Sequence, residues 1–244
     1  MSLLVWVPPT YAELNVTALQ RLYDDATTPS LQSAFNKRAK AFSEATAFSV
    51  LQSQYRVKLP GSFRPYMELG FHSFNSDSAQ LEGLTTSNSP TPDFFHGIVF
   101  RAGLGLPFGF ALEGGTTQVV NDHPVTGFFL TASNQILDFA HIVAIDLVPS
   151  LTVSGTMMRT VAGPGLYAFA GQMVAGAYNR ESRAQFGLLA QYSYTLLIAL
   201  DPSVGSHFFR YGGMIQLPVY SKAFVKAEVI YPSVTANLST GLQF

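Results

Sequence analysis

Charged residues are scarce in this chain, and their placement is regular. The 244 residues include 14 Lys or Arg, 15 Asp or Glu and 5 His. Arg56, Lys58, Glu68, Arg101, Glu113, Asp138, Asp146, Arg210, Lys222, Lys226 and Glu228 lie in stretches that read as strands. Side chains two apart on a strand share a face, and these charges fall opposite the apolar ones. Gathered around one space, Arg56, Lys58, Glu68, Arg101, Glu113, Arg210, Lys222, Lys226 and Glu228 would form a polar, weakly cationic constriction able to select solutes. Paired with one another, they would stiffen a wall. Both readings stand.

Enzyme chemistry finds little footing. His72, Ser73 and Asn75 are close in sequence, but adjacent strand residues point to opposite faces, so His72 and Ser73 do not meet. His141 shares a face with Leu137, Phe139 and Val143, with no serine nearby. Asp122-His123 lies in a polar connection, where solvation is the ordinary explanation. The GxSxG, HExxH and phosphate-loop patterns do not occur. No His, Asp and Glu have the spacing of a metal site, and there is no cysteine. The expectation is a protein that is not an enzyme and takes no cofactor.

The elements that must carry these charges follow a period of two. Met67, Leu69 and Phe71 oppose Glu68, Gly70 and His72; Phe108, Phe110 and Leu112 oppose Gly109, Ala111 and Glu113. The same alternation predicts strands over 51–59, 94–106, 148–158, 185–198, 207–217, 219–231 and 234–244. Two strands of blurred alternation are expected over 136–147 and 166–178. Eleven strands result, joined in part by tight turns at Leu59-Pro60-Gly61, Leu106-Pro107-Phe108, Val148-Pro149-Ser150 and Leu217-Pro218-Val219. Longer polar connections are expected at Asn75–Asp93, Val120–Gln135 and Asp201–Ser206. A turn centred on Pro107 puts Arg101 opposite Glu113, and one at Pro218 puts Arg210 opposite Lys226. Eight glycines on the inner faces, among them Gly97, Gly103, Gly115 and Gly241, leave room for a channel, for a plug, or for strand curvature.

Composition narrows the class. The chain is 48% hydrophobic, 13% aromatic and only 12% charged, against roughly 25% charged in an average soluble domain. Disordered chains are more polar. Nucleic acid is not an expected partner, because the net charge is −1 and no Lys/Arg stripe is present. No apolar run approaches the roughly 18 residues of a membrane helix. A membrane β-barrel needs lipid-facing side chains only at every second position, and it fits. The expected fold is all-β: an antiparallel transmembrane barrel over residues 48–244, with a separate N-terminal segment over 1–47. An even barrel needs one more strand within the first 25 residues, which makes about 12.

The N-terminal segment differs in period. Leu31, Phe35, Ala39, Phe42 and Ala45 recur at steps of three and four, which predicts a helix over Ser30–Ala47 with Ser30 as N-cap. A second short helix is expected over Glu13–Asp25. The stripe of Leu31, Phe35 and Phe42 must be buried, either inside the barrel as a plug, under an extracellular cap, or against a partner. Leu3–Val7 reads equally as a signal-peptide remnant or as a first strand.

The last strand carries a resemblance. Val234, Ala236, Leu238, Leu242 and the terminal Phe244 alternate with polar residues. This is similar to the C-terminal assembly signal of Gram-negative outer-membrane barrel proteins, in which Leu242 and Phe244 would be read by the barrel-assembly machinery. The resemblance implies residence in the bacterial outer membrane and contact with its lipid and lipopolysaccharide. A helical segment ahead of a barrel also resembles plugged transporters of small hydrophobic compounds. The expected function is a porin-like channel or transporter for small solutes, with small hydrophobic molecules among the candidates. The alternatives are a non-conducting structural or adhesive barrel acting through its loops, a soluble lipocalin-like binder and, less favoured, a lipid-modifying enzyme.

Overall fold

The computed structural model describes residues 15–47, 64–75, 78–82, 84, 94–119, 125–138, 147–162, 165–179, 182, 184–198, 200, 203–220, 222–232 and 234–244. Two helices precede ten strands. Helix α1 spans Val16–Asp24 and α2 spans Pro29–Ala47. The strands are β1 Arg64–Asn75, β2 Phe94–Gly105, β3 Phe110–Val119, β4 Val125–Asp138, β5 Leu147–Ala162, β6 Leu166–Asn179, β7 Gln185–Leu197, β8 Val204–Pro218, β9 Ala223–Tyr231 and β10 Thr235–Gln243. A one-turn helix, Ser78–Leu81, follows β1. Each strand pairs antiparallel with the next, and β1 pairs with β10, so the sheet is a closed ring. Closure removes every unpaired edge.

The count is ten, not about twelve. The expected strand over 51–59 lies outside the described residues, as do Arg56, Lys58 and Leu3–Val7. The extra strand sought in the first 25 residues is not there among the described ones, because 16–24 is helical. The fourth strand also lies elsewhere than expected. Residues 125–138 form β4, where most of a polar loop was predicted. Its Thr131, Ser133 and Gln135 are polar because they face inward, with Phe128, Leu130 and Ile136 outward. Polar lining therefore imitated a loop. Pro149 is no turn: it sits near the start of β5, opposite Ala177 of β6 and just beyond the last described β4 pair at Ser150.

Inner and outer faces alternate as the period of two demands. Phe71, Phe110, Leu130, Leu188, Phe209 and Leu238 point out and are exposed. Glu68, Arg101, Thr131, Gln172, Gln191 and Lys226 point in and are buried. Among outward side chains described on the strands, Arg159 is the only Lys, Arg, Asp or Glu.

Four of the inward glycines do not leave space but receive the ring of a neighbour across the ladder: Tyr66 lies on Gly103, His72 on Gly97, Phe129 on Gly115 and Phe224 on Gly241. A Cβ at Gly103 would come within 2.5 Å of the Tyr66 ring, and one at Gly115 within 2.2 Å of the Phe100 carbonyl oxygen. The rings cover the backbone, which pins register.

Helix α1 starts at Asn15, whose side chain accepts from the Ala18 N–H at 3.1 Å, and the Asn15 N–H donates to the Leu84 carbonyl at 2.7 Å. Helix α2 starts one residue before the expected span, with Pro29 in the first turn, where its absent N–H costs nothing. Thr28 Oγ1, not Ser30, caps it by accepting from the Leu31 N–H at 3.4 Å.

Candidate functional site

The ten-stranded lumen has two unlike halves. The ends of β1, β3, β5, β7 and β9 form one rim, which also carries the longest connection, 76–93. Just inside this rim the wall is apolar: Phe74, Phe95, Val119, Phe129, Met158, Leu166 and Leu197 form one cluster with Phe35, Ala39 and Phe42 of α2 and Leu19 of α1. The helical stripe is thus buried inside the ring. Leu31 is the exception among the expected plug residues. It is 48% exposed, because the first turns of α2 stand clear of the wall. Phe35 and Phe42 are buried, and Tyr23 meets Phe35 edge to face at 5.2 Å.

Farther in, the helix is tied to the wall by charge. Arg210 Nη2 of β8 lies 2.8 Å from Glu44 Oε1 of α2. Lys40 stands over the inward ring of Phe208, 5.4 Å from its centroid. Arg210 was expected opposite Lys226. The β8–β9 ladder instead sets Gln216 opposite Lys226 and begins only at Tyr211. The connection after Pro218 is longer than three residues, closing with the Val219 N–H on the Ala223 carbonyl at 2.9 Å. No repulsion between Arg210 and Lys226 has to be relieved.

The remaining charges make a belt across β9, β10, β1, β2 and β3. Lys226 Nζ is 2.9 Å from Glu68 Oε1, reaching over β10. Ser239 of that intervening strand donates to the same oxygen at 2.7 Å. Glu68 is directly opposite Arg101 on the ladder. Arg101 Nη1 lies 4.0 Å from Glu113 Oε2. These two were expected directly opposite each other. They are offset by two residues, because Gly105 pairs with Ala111 across the five residues 106–110, where three were expected. That turn passes Phe108 at φ 59° and Gly109 at φ 75°. Glu228 accepts from Asn237 Nδ2 at 3.5 Å. Lys222 is not part of the belt: it is exposed in the turn before β9. The belt alternates in sign, so each buried ion has a counter-ion near it.

Sequence reasoning missed Glu44 as a partner, since strand arithmetic finds only strand neighbours. It also missed that His96 stands directly across from Ser73 with both outward. A serine–histidine reading would further need N–H donors aimed at an oxyanion, and the ladder uses those of this wall. His72 faces inward, as expected.

No protein-family model matches the chain, and no curated protein matches it. Solved structures do. A structure of the KdgM porin overlaps 73% of this chain and 99% of its own, at 7% identity and a TM-score of 0.35. Neisserial surface protein A overlaps 74% of this chain and 95% of its own, at 11% identity and a TM-score of 0.32. Ail, the attachment invasion locus protein of Yersinia pestis, overlaps 75% and 100%, at 9% identity and a TM-score of 0.27. These overlaps are loose, and the ring's own wall and lumen are the ground for the functional reading.

Proposed function

We propose that the protein spans the bacterial outer membrane as a channel for small solutes, stoppered by its own N-terminal helices. The wall supports the membrane part. Its outward faces are apolar, its edges are closed, and its strands of 9 to 16 residues are long enough to cross. Longer loops face the cell exterior in such barrels, which puts the rim carrying 76–93, and the stopper, on the outer side. Lipid and lipopolysaccharide surround the wall in this reading, and a small solute is the cargo.

The observation that carries the stopper is the Arg210–Glu44 pair at 2.8 Å. It joins a removable element to the fixed wall through charge, where the surrounding contact is apolar. Planar-bilayer recordings test it. The full chain should show mostly closed intervals with brief discrete openings, and Glu44→Gln should lengthen the openings several-fold. A chain silent in both forms, with no uptake in liposomes, would favour the second reading, a non-conducting structural or adhesive barrel. One observation speaks for that alternative: Glu68, Arg101, Glu113 and Lys226 are each only 1–2% exposed, so the lumen is closely filled.

Phe244 closes the seam. Its N–H donates to the Pro65 carbonyl at 3.0 Å and its ring is exposed. With Leu242, also outward, it is the surface that assembly machinery would read. Deleting Phe244 should lower the amount of barrel assembled in cells severalfold, while the urea midpoint of refolded protein moves little. An equal loss in both assays would make it an ordinary stabilising contact.

A further inference from the structure

We propose that the outer wall of β4–β7 carries a binding site for a phosphate-bearing lipid, with Arg159 holding the headgroup and an acyl chain lying over Gly155 and Gly171. The proposal rests on the membrane reading and adds a specific lipid contact to it. Arg159 is exposed, three residues from the end of β5 at the loop rim. It lies over the Tyr167 ring, 5.4 Å from the centroid, and no carboxylate is recorded beside it among the described residues. A guanidinium that is the one charge among the described outward strand side chains matches an anion held at headgroup depth, and guanidinium binds phosphate through paired hydrogen bonds.

Below it the wall is hollow. Gly155 pairs with Gly171 across the β5–β6 ladder, and Ala132 pairs with Gly155 on the other side. A Cβ built on either glycine meets nothing within 4 Å. With Met157, Phe169 and Tyr192 standing around this floor, the recess measures about 490 Å³ and its surface is largely apolar. Sites for small organic molecules run to roughly 300–1,000 Å³. Four residues separate Arg159 from Gly155, about 13 Å along a strand, so an amphiphile with its phosphate at the guanidinium has its chain beside the glycines. Tyr192 bounds the recess, its hydroxyl 2.7 Å from His207 Nδ1, a bond that fixes the ring. A second copy of the chain fits less well, since a symmetric contact here would bring Arg159 against its own image.

Full-length protein in a neutral detergent, titrated with short-chain phosphatidic acid and followed by native mass spectrometry, tests the assignment. Phosphatidic acid should be retained about tenfold more tightly than phosphatidylcholine of equal chain length. Arg159→Gln should erase that preference. Gly155→Leu with Gly171→Leu should weaken both lipids, and the open space above the two glycines lets these variants fold. Inorganic phosphate should not displace the lipid. Equal retention of the two lipids, an unchanged Arg159→Gln, or full displacement by inorganic phosphate would each overturn the site. A chain that stays monodisperse without detergent would instead overturn the membrane reading itself.

Discussion

Removing residues 1–47 should raise conductance by about tenfold or more, because an eight-stranded ring is just filled by its own side chains and a ten-stranded one is wider. In the intact protein the added width at the loop rim is taken by α2, whose Phe35, Ala39 and Phe42 are 0–4% exposed against the wall. The ladder of ten strands owes no pairing to either helix, so the shortened chain should still give the far-ultraviolet spectrum of a barrel. It should also be less stable, since Phe74, Phe95, Phe129 and Leu166 would meet water on loss of the helix. Single-channel recording of both chains in the same lipid is the measurement. Equal conductance would show that the helices block nothing.

The second large effect is expected at Glu68. Its carboxylate is 2.9 Å from Lys226, accepts from Ser239 and faces Arg101 across the ladder. Glu68→Leu leaves two buried cations short of their shared anion. Breaking a buried ion pair from one side costs about 3–5 kcal/mol, so the urea midpoint should fall clearly. Adding Lys226→Met removes the more dependent cation, while Arg101 keeps Glu113 at 4.0 Å, and much of the loss should return. A Glu68→Leu variant as stable as the parent would mean that water reaches the belt and solvates both cations, and it would point to a continuous path through the ring.

The buried charges show which kinds of information the sequence carries. Which way a side chain faces was legible in the strands the alternation found: Glu68, Arg101, Glu113, Arg210, Lys226 and Glu228 all fall inside, as predicted. Facing depends only on the strand's own period. What stands opposite what depends on turn length, and the turns at Pro107 and Pro218 both defeat the arithmetic. Five residues between Gly105 and Ala111, where three were assumed, moved Glu113 two places from Arg101. Lys222 was lost for a related reason, since the strand begins at Ala223, four residues after the expected start at Val219. Pro149 misled because proline marks either a turn or a position near a strand's end, and here it lies in β5 opposite Ala177 of β6. Glu44 was beyond reach: its partner is 166 residues away in sequence, and no local pattern links a helix to one strand of ten.

Helix α2 lies within the ring at the rim where β1 ends, whereas the chain enters β1 at the opposite rim. A rod already enclosed by a hoop, and continuous with the hoop's first stave, is hard to introduce once the hoop is fastened. The clasp is the β1–β10 seam, from Tyr66 opposite Gln243 to Phe74 opposite Thr235. A leading segment that enters while that seam is still apart avoids threading a closed ring, so zipping of the first strand to the last is the step expected at the end.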